Sequence, residues 1–326
     1  MKIAVTGANG HVGINLCTSL LHAGHQINAL FHKNEQGIKG IPVNIIKGDV
    51  LDRQSIRLLL QDVDIVFHLA ARISINGDPD GMVTRINAEG TRNMLDVARE
   101  CNVKRFIHFS SIDAFQQHPN DQPLDENRPL VNHQSCAYNM SKASGERAVK
   151  EAINNGLDAV ILSPTAIIGP ADPEPSLTGK AIVDLYNHKI PSLVPGGYDW
   201  VDVRDVVSAA IVAMEKGRKG EKYLLSGHWH SLKELSAILQ EQAGKKIVDT
   251  ILPFWVARVG LPFISLYSTL TRQEPLYTRD SLTIIHDGNR MINNSKARKE
   301  LNFNPRSFSV TIRDMLLWFK EHKYIN

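Results

Sequence analysis

Short apolar runs recur along the first half of the chain, separated by stretches with helical spacing. "KIAVT" (residues 2–6), "QINALFH" (26–32), "VNIIKGD" (43–49), "DIVFHLAA" (64–71), "KRFIHFSS" (104–111) and "LDAVILSP" (157–164) are nearly unbroken and short enough for strands. Between them, "HVGINLCTSLLHAG" (11–24), "SIRLLLQD" (55–62), "GTRNMLDVARECN" (90–102) and "AYNMSKASGERAVKEAINNG" (137–156) place apolar residues on one helical face, and Gly24 stops the first helix. Strands that are apolar on both faces and alternate with helices predict an α/β fold: a doubly wound parallel sheet covered on both sides.

The texture changes after Pro164. "GPADPEPSLTG" is rich in Pro and Gly, and the remainder mixes short strands with helices such as "SLKELSAILQEQAG". The expected division is a dinucleotide-binding domain over 1–170, with a return segment at about 198–227. The rest of 171–326 forms a smaller, discontinuous mixed substrate domain. "ILPFWVARVGLPFISLYSTL" (251–270) has the length of a membrane span, but Pro253, Arg258, Gly260 and Pro262 interrupt it. A buried or pocket-lining helical hairpin is expected there, with contact at a membrane surface as the alternative.

Composition narrows the function classes. The 326 residues carry a net charge of +3 with no run of like charges, which gives no support to nucleic-acid binding. Cys17, Cys101 and Cys136 lie far apart and read as reduced intracellular thiols, Cys136 as a small apolar contact. A strand pattern beginning at the second residue leaves no room for a signal peptide, so a cytoplasmic location is expected. The histidines are scattered. His228 and His230 are the nearest pair, and a surface turn is expected there rather than a metal site. His68 reads as core packing. No G-x-S-x-G elbow is present for a serine hydrolase. Asp202 and Asp205 precede a helix and are expected to cap it.

"TGANGHVG" (6–13) follows the first strand and opens the first helix, with Gly7, Gly10 and Gly13 at spacing three. In that position Asn9, His11 and Val12 join the glycines in a loop where backbone N–H groups and a helix N-terminus hold a pyrophosphate. Cofactor selectivity belongs at the end of the second strand. His32 and Lys33 there favour a 2′-phosphate and hence NADP(H), with NAD(H) left open, because Glu35 takes the role of a ribose-binding acid if the strand runs longer. Asp49 and Val50 end the third strand, where an adenine would lie.

"YNMSK" puts Tyr138 and Lys142 four apart on one helical face. A free tyrosine titrates near 10, and moving it to about 7 takes roughly 4 kcal/mol. One cation at about 4 Å supplies roughly that at an effective dielectric near 20. Lys142, helped by an oxidised nicotinamide ring, would make Tyr138 a general acid or base. Ser111 ends the preceding strand at the ligand-binding edge of the sheet and is placed to hold the substrate oxygen.

Taken in order, "TGANGHVG", "GDV", "HLAA", "INAEGTRNML", "FSS", "YNMSK", "SPTAIIGP" and "DVRDV" resemble the extended short-chain dehydrogenase/reductases over nearly the whole chain. The dihydroflavonol-reductase-like branch, with the hopanoid-associated reductases, is the most similar. The resemblance implies that Ser111, Tyr138 and Lys142 are catalytic, with Lys142 also on the nicotinamide ribose. It implies that Leu69, Ala70, Ala71, Ser110, Pro164, Thr165 and Ala166 line the cofactor, that Asn87 supports the site, and that Gln116 contacts substrate. Many relatives have Arg at the position of His32, so the phosphate clamp is incomplete. Ser163 and Ala166 replace the Arg and Asn of the nucleotide-sugar "RPxN" segment, and Ile112 stands where dehydratases have the first of two acids, leaving Asp113 alone. Phe254, Trp255, Leu261, Phe263 and Tyr267 are suited to wall an apolar pocket. Ala143, Ser144 and Gly145 narrow the Tyr138 helix for another helix, and in relatives this helix forms a dimer interface, so a homodimer is expected.

The function so implied is an NAD(P)-dependent oxidoreductase that interconverts a secondary alcohol and a ketone on a small, largely apolar substrate. Nucleotide-sugar epimerisation or dehydration is the enzymatic alternative, and a non-catalytic NADP-binding regulator is the alternative of another class.

Overall fold

The computed structural model describes residues 1–32, 36–271 and 277–326, and the side chains of 36 and of 263–271 are set aside. Lys33 and Glu35, and the side chains of Phe263 and Tyr267, lie outside the described residues.

The apolar runs become strands β1 (Lys2–Thr6), β2 (Gln26–Phe31), β3 (Asn44–Lys47), β4 (Ile65–His68), β5 (Arg105–Phe109) and β6 (Ala159–Pro164). Further on come β7 (Ala166–Ile168), β8 (Gly197–Asp202), β9 (Lys222–Leu225) and β10 (His228–Ser231). Among the described residues, seven strands form a parallel sheet in the order β3-β2-β1-β4-β5-β6-β9, and β10-β8-β7 form a smaller mixed sheet. The fold is the doubly wound α/β sheet with a smaller mixed unit that the pattern predicts.

Side chains alternate across the large sheet because successive residues of a strand face opposite ways. Ile3 and Val5 of β1, with Val160 and Leu162 of β6, pack under the helices His11–His22 and Val203–Lys216. Ala4, Ala159 and Ile161 face the other layer, built from the helices Arg53–Leu59, Gly90–Glu100 and Ala137–Asn154. The order in which strands are added reverses between β1 and β4, so a crevice opens beyond their carboxyl ends. That is where ligands of such sheets bind.

Strands β4 and β5 stop before their apolar strings do. Residues 69–71 and Ser110–Ser111 leave the sheet to form the rim of the crevice. The return segment expected over 198–227 divides between the sheets: β8 joins the small sheet, while the helix Val203–Lys216 and β9 belong to the large one. Asp202 caps that helix by accepting from the Arg204 N–H at 2.8 Å. Asp205 does not cap it. Its carboxylate instead receives the Arg306 backbone N–H at 2.8 Å and the guanidinium at 2.7 Å, tying the C-terminal part down.

Residues 251–270 do not form a hairpin. A single helix, Phe254–Thr271, runs through Pro262, and no described helix is long and apolar enough to cross a membrane. The narrow face at Ala143 and Gly145 is filled from within the chain. Ala143 is fully buried, and a Cβ on Gly145 would lie 2.9 Å from the Asn87 carbonyl oxygen, so the helix carrying Asn87 packs on that part of the face, while Ser144 stays half-exposed.

Candidate active site

A cleft of about 680 Å³ lies over the carboxyl ends of the strands. Gly7, residues 9–13, His32, Asp49, Val50, residues 69–71, Ser110, Ser111, Tyr138, Lys142 and residues 164–166 all line it. The glycine loop forms one end. Gly7 sits at φ +69°, and a Cβ there would come within 2.9 Å of the Ala70 nitrogen and the Leu69 carbonyl carbon. A Cβ on Gly13 would lie 2.2 Å from the Gly7 carbonyl oxygen. Gly10 differs: its added Cβ would meet only the Gly7 oxygen, at 3.4 Å. Two glycines are thus demanded by the chain's own packing and the third is not, and the bare backbone it leaves at the helix N-terminus fits a dinucleotide pyrophosphate. Farther along the rim, His32 Nδ1 lies 3.3 Å from Asp49 Oδ2.

Ser111, Tyr138 and Lys142 meet at the centre. Ser111 is the extended residue before the turn Ile112–Ala114, and its Oγ accepts the Asp113 N–H at 3.1 Å. Tyr138 begins the helix Ala137–Asn154. Burial pushes its phenol well above the ordinary tyrosine range, Asp113 adds to that, and hydrogen bonding with Ser111 opposes it. Lys142, one turn further along the helix, is bonded to the backbone. Its ammonium donates to the Phe109 carbonyl at 2.6 Å, and burial lowers its pKa to about 8 against the pull of Glu146. The phenol is therefore held protonated by its surroundings.

Two expected residues stand outside the cleft. Asn87 sits in a π-helical turn, Arg85–Glu89, and pins the rim: its Oδ1 accepts from Arg72 N at 2.8 Å, and its Nδ2 donates to Arg72 O at 3.0 Å and Ser141 Oγ at 2.8 Å. Gln116 turns away, its amide donating to the Leu130 carbonyl at 3.4 Å, and Gln117 lines the cleft in its place. Gln116 is held there by its backbone N–H, which donates to the Pro129 carbonyl at 2.8 Å.

Three of the five residues expected to wall a pocket lie elsewhere. Phe254 stacks on His286 with ring centres 4.2 Å apart, Leu261 packs on the second core, and Trp255 is 68% exposed. None of the three lines the cleft, whose apolar side comes from Ile73, Ile75, Met82, Ile86, Ile284 and Ile292. The alternating "RISI" after the fourth strand was the available signal. His68 is a core group as expected, bonded to Thr6 Oγ1 at 2.8 Å and Thr91 Oγ1 at 3.0 Å and held neutral by burial. Sequence reasoning missed Glu146, one turn beyond Lys142. It is fully buried, accepts from Ser110 Oγ at 3.0 Å and pairs with Lys222 at 2.6 Å.

Residues 3–226 match the NAD dependent epimerase/dehydratase family. The chain belongs to that family. Its class, NAD(P)-dependent oxidoreductases acting on CH–OH and keto groups, is the one expected from the motifs, as is the dihydroflavonol-reductase-like branch of the extended short-chain dehydrogenase/reductases. The chain is 31% identical to sterol demethylase protein B of Methylococcus capsulatus, over 100% of both chains. It is 29% identical to a Synechocystis protein carrying the dihydroflavonol 4-reductase name, over 98% of this chain and 95% of that one. Among solved structures, gox2253 superposes with a TM-score of 0.85 at 30% identity, covering 99% of each chain. UDP-glucuronic acid 4-epimerase from Bacillus cereus, in complex with NAD, reaches 0.79 at 21% identity over 98% of this chain and 97% of that one, which shows the common fold.

Proposed function

We propose that this chain is a cytoplasmic enzyme that reduces an uncharged, largely apolar ketone to the secondary alcohol, with NADPH preferred over NADH. The observation that carries the reading is the meeting of Ser111, Tyr138 and Lys142 in one cleft, between a glycine cradle and an isoleucine-rich wall. A nicotinamide nucleotide, when bound, supplies the hydride. Ser111 holds the substrate oxygen, and Tyr138 gives it a proton as charge develops there. A phenol whose pKa is raised by burial keeps its proton at neutral pH, which suits the acid role and hence the reductive direction. Lys142 keeps most of its charge below its pKa of about 8 and holds the nicotinamide ribose beside the Phe109 carbonyl.

The far end of the cleft supports an uncharged substrate. Asp113, Asp199 and Asp280 line it, and among the described lining residues Lys142 is the one Lys or Arg. A diphosphate there would be buried without partners, at high cost. Ser163 is fully buried in β6, away from any such group. NADPH preference rests on His32, beside Asp49, and on Lys33. A homodimer remains part of the reading.

The test is a screen of neutral ketones for loss of NADPH absorbance, with both cofactors titrated by fluorescence. Tyr138→Phe is expected to lower turnover by about two to four orders of magnitude and leave NADPH affinity intact. Undiminished turnover in that variant sinks the mechanism, and tighter binding of NADH overturns the cofactor preference.

A further inference from the structure

We propose that Asp113 is a positioning residue: its carboxyl decides where the Ser111 hydroxyl donates, and its acid form frees that proton for the substrate oxygen. The proposal rests on the reductase reading and deepens it.

Ser111 Oγ has one proton and two acceptor sites. One site is taken by the Asp113 N–H at 3.1 Å, and Asp113 Oδ2 lies 3.3 Å from the same oxygen. An ionised Asp113 can only accept, so it captures the Ser111 proton, and a carbonyl oxygen arriving in the cleft finds no donor in Ser111. A protonated Asp113 reverses the bond. Its O–H donates into the remaining lone pair of Ser111, whose own proton is then left for the Tyr138 phenol that it also bonds with and, once a ketone arrives, for the carbonyl oxygen.

The surroundings favour the acid form. No Lys, Arg or His among the described residues forms an ion pair with Asp113. The titratable groups that feel its charge are Tyr138 and Cys136 at the start of the helix Ala137–Asn154 and Tyr198 on β8, all of them acids whose ionisation a carboxylate opposes. Asp280, on the helix Arg279–Asp287, acts on Cys136 from the other side with the same sign. Burial itself raises the Asp113 pKa, with Ser111 opposing. Of these groups only the Ser111 hydrogen bond favours a negative charge at Asp113; Lys142, which lines the same cleft, donates to the Phe109 carbonyl.

Infrared difference spectroscopy of the full-length protein tests this without a substrate. Wild type minus Asp113→Asn, recorded at about pH 6, where ordinary carboxyls are ionised, is expected to show the carbonyl stretch of a protonated acid. In Ser111→Ala the same band is expected to persist at a shifted frequency, since the acid has lost its acceptor. Absence of the band from the wild-type difference overturns the proposal, and so does a band that Ser111→Ala leaves unmoved. Both signatures are independent of turnover. A protein that shows them but oxidises NADPH with no ketone therefore refutes the reductase reading and leaves the hydrogen-bond assignment standing.

Discussion

Gly10 is a glycine that its own chain does not require. Its backbone is ordinary extended geometry, φ −79° and ψ 167°, and an added Cβ would meet a single atom at 3.4 Å. Gly7, at φ +69° with backbone 2.9 Å from any Cβ, is required by the fold. The same motif thus holds two kinds of glycine, and substitution separates them. Gly10→Ala is expected to melt within about 0.5 kcal/mol of wild type in the absence of nucleotide and to lose NADPH affinity by about tenfold or more. Gly7→Ala is expected to cost about 1–3 kcal/mol of stability. Thermal melts and a fluorescence titration on the same preparations check both. Wild-type affinity in Gly10→Ala would mean that nothing approaches the loop closely. At this scale the sequence was a good guide to identity and a poorer one to electrostatics. Tyr138 and Lys142 do share a helical face, yet burial and a backbone carbonyl, invisible in a string of letters, set their proton affinities.

Among the elements, the turn Arg85–Glu89 shows where legibility ended. The pattern starts the helix at residue 90 and leaves the turn before it unread, and there a π-helical turn brings Asn87 to Arg72 and Ser141. π-turns of this kind recur at functional sites because they re-aim one side chain. Asn87→Ala removes the partners of the Arg72 N–H and C=O on the half-buried rim, at about 0.5–1.5 kcal/mol for each hydrogen bond lost. Faster hydrogen exchange at Arg72 and weaker NADPH binding are expected, measured by exchange mass spectrometry and titration. Unchanged exchange would show that the rim does not depend on Asn87. The strands were legible because a buried parallel strand must be apolar on both faces. The helix Phe254–Thr271 was not, because an apolar stripe says that a face is covered without saying by what. Phe254 and Leu261 serve the second core, and the cleft takes its apolar wall from the loop that follows β4.

On the scale of the whole molecule, the two sheets meet at Asp199. It sits on β8 of the small sheet, and its Oδ1 accepts from Thr165 Oγ1 at 2.7 Å, just past β6, and from Gly227 N at 2.8 Å, just past β9. One oxygen therefore fastens the small sheet to the carboxyl ends of two strands of the large one. Burial raises its pKa to about 6 from an ordinary 3.8, with those two bonds and His228 pulling the other way. The sign follows from proton counting. Between about pH 4 and 6 the folded chain keeps a proton on Asp199 that the unfolded chain has lost, so stability falls as pH rises through that window. Asp199→Asn keeps an oxygen for Thr165 and Gly227 and cannot ionise. It is expected to gain stability relative to wild type on passing from about pH 4 to about pH 7, by on the order of 3 kcal/mol. Calorimetric melts of the two proteins across that range decide it: curves that stay parallel would mean that Asp199 titrates as a solvated carboxylate, and that the bond joining the two sheets carries its full charge at every working pH.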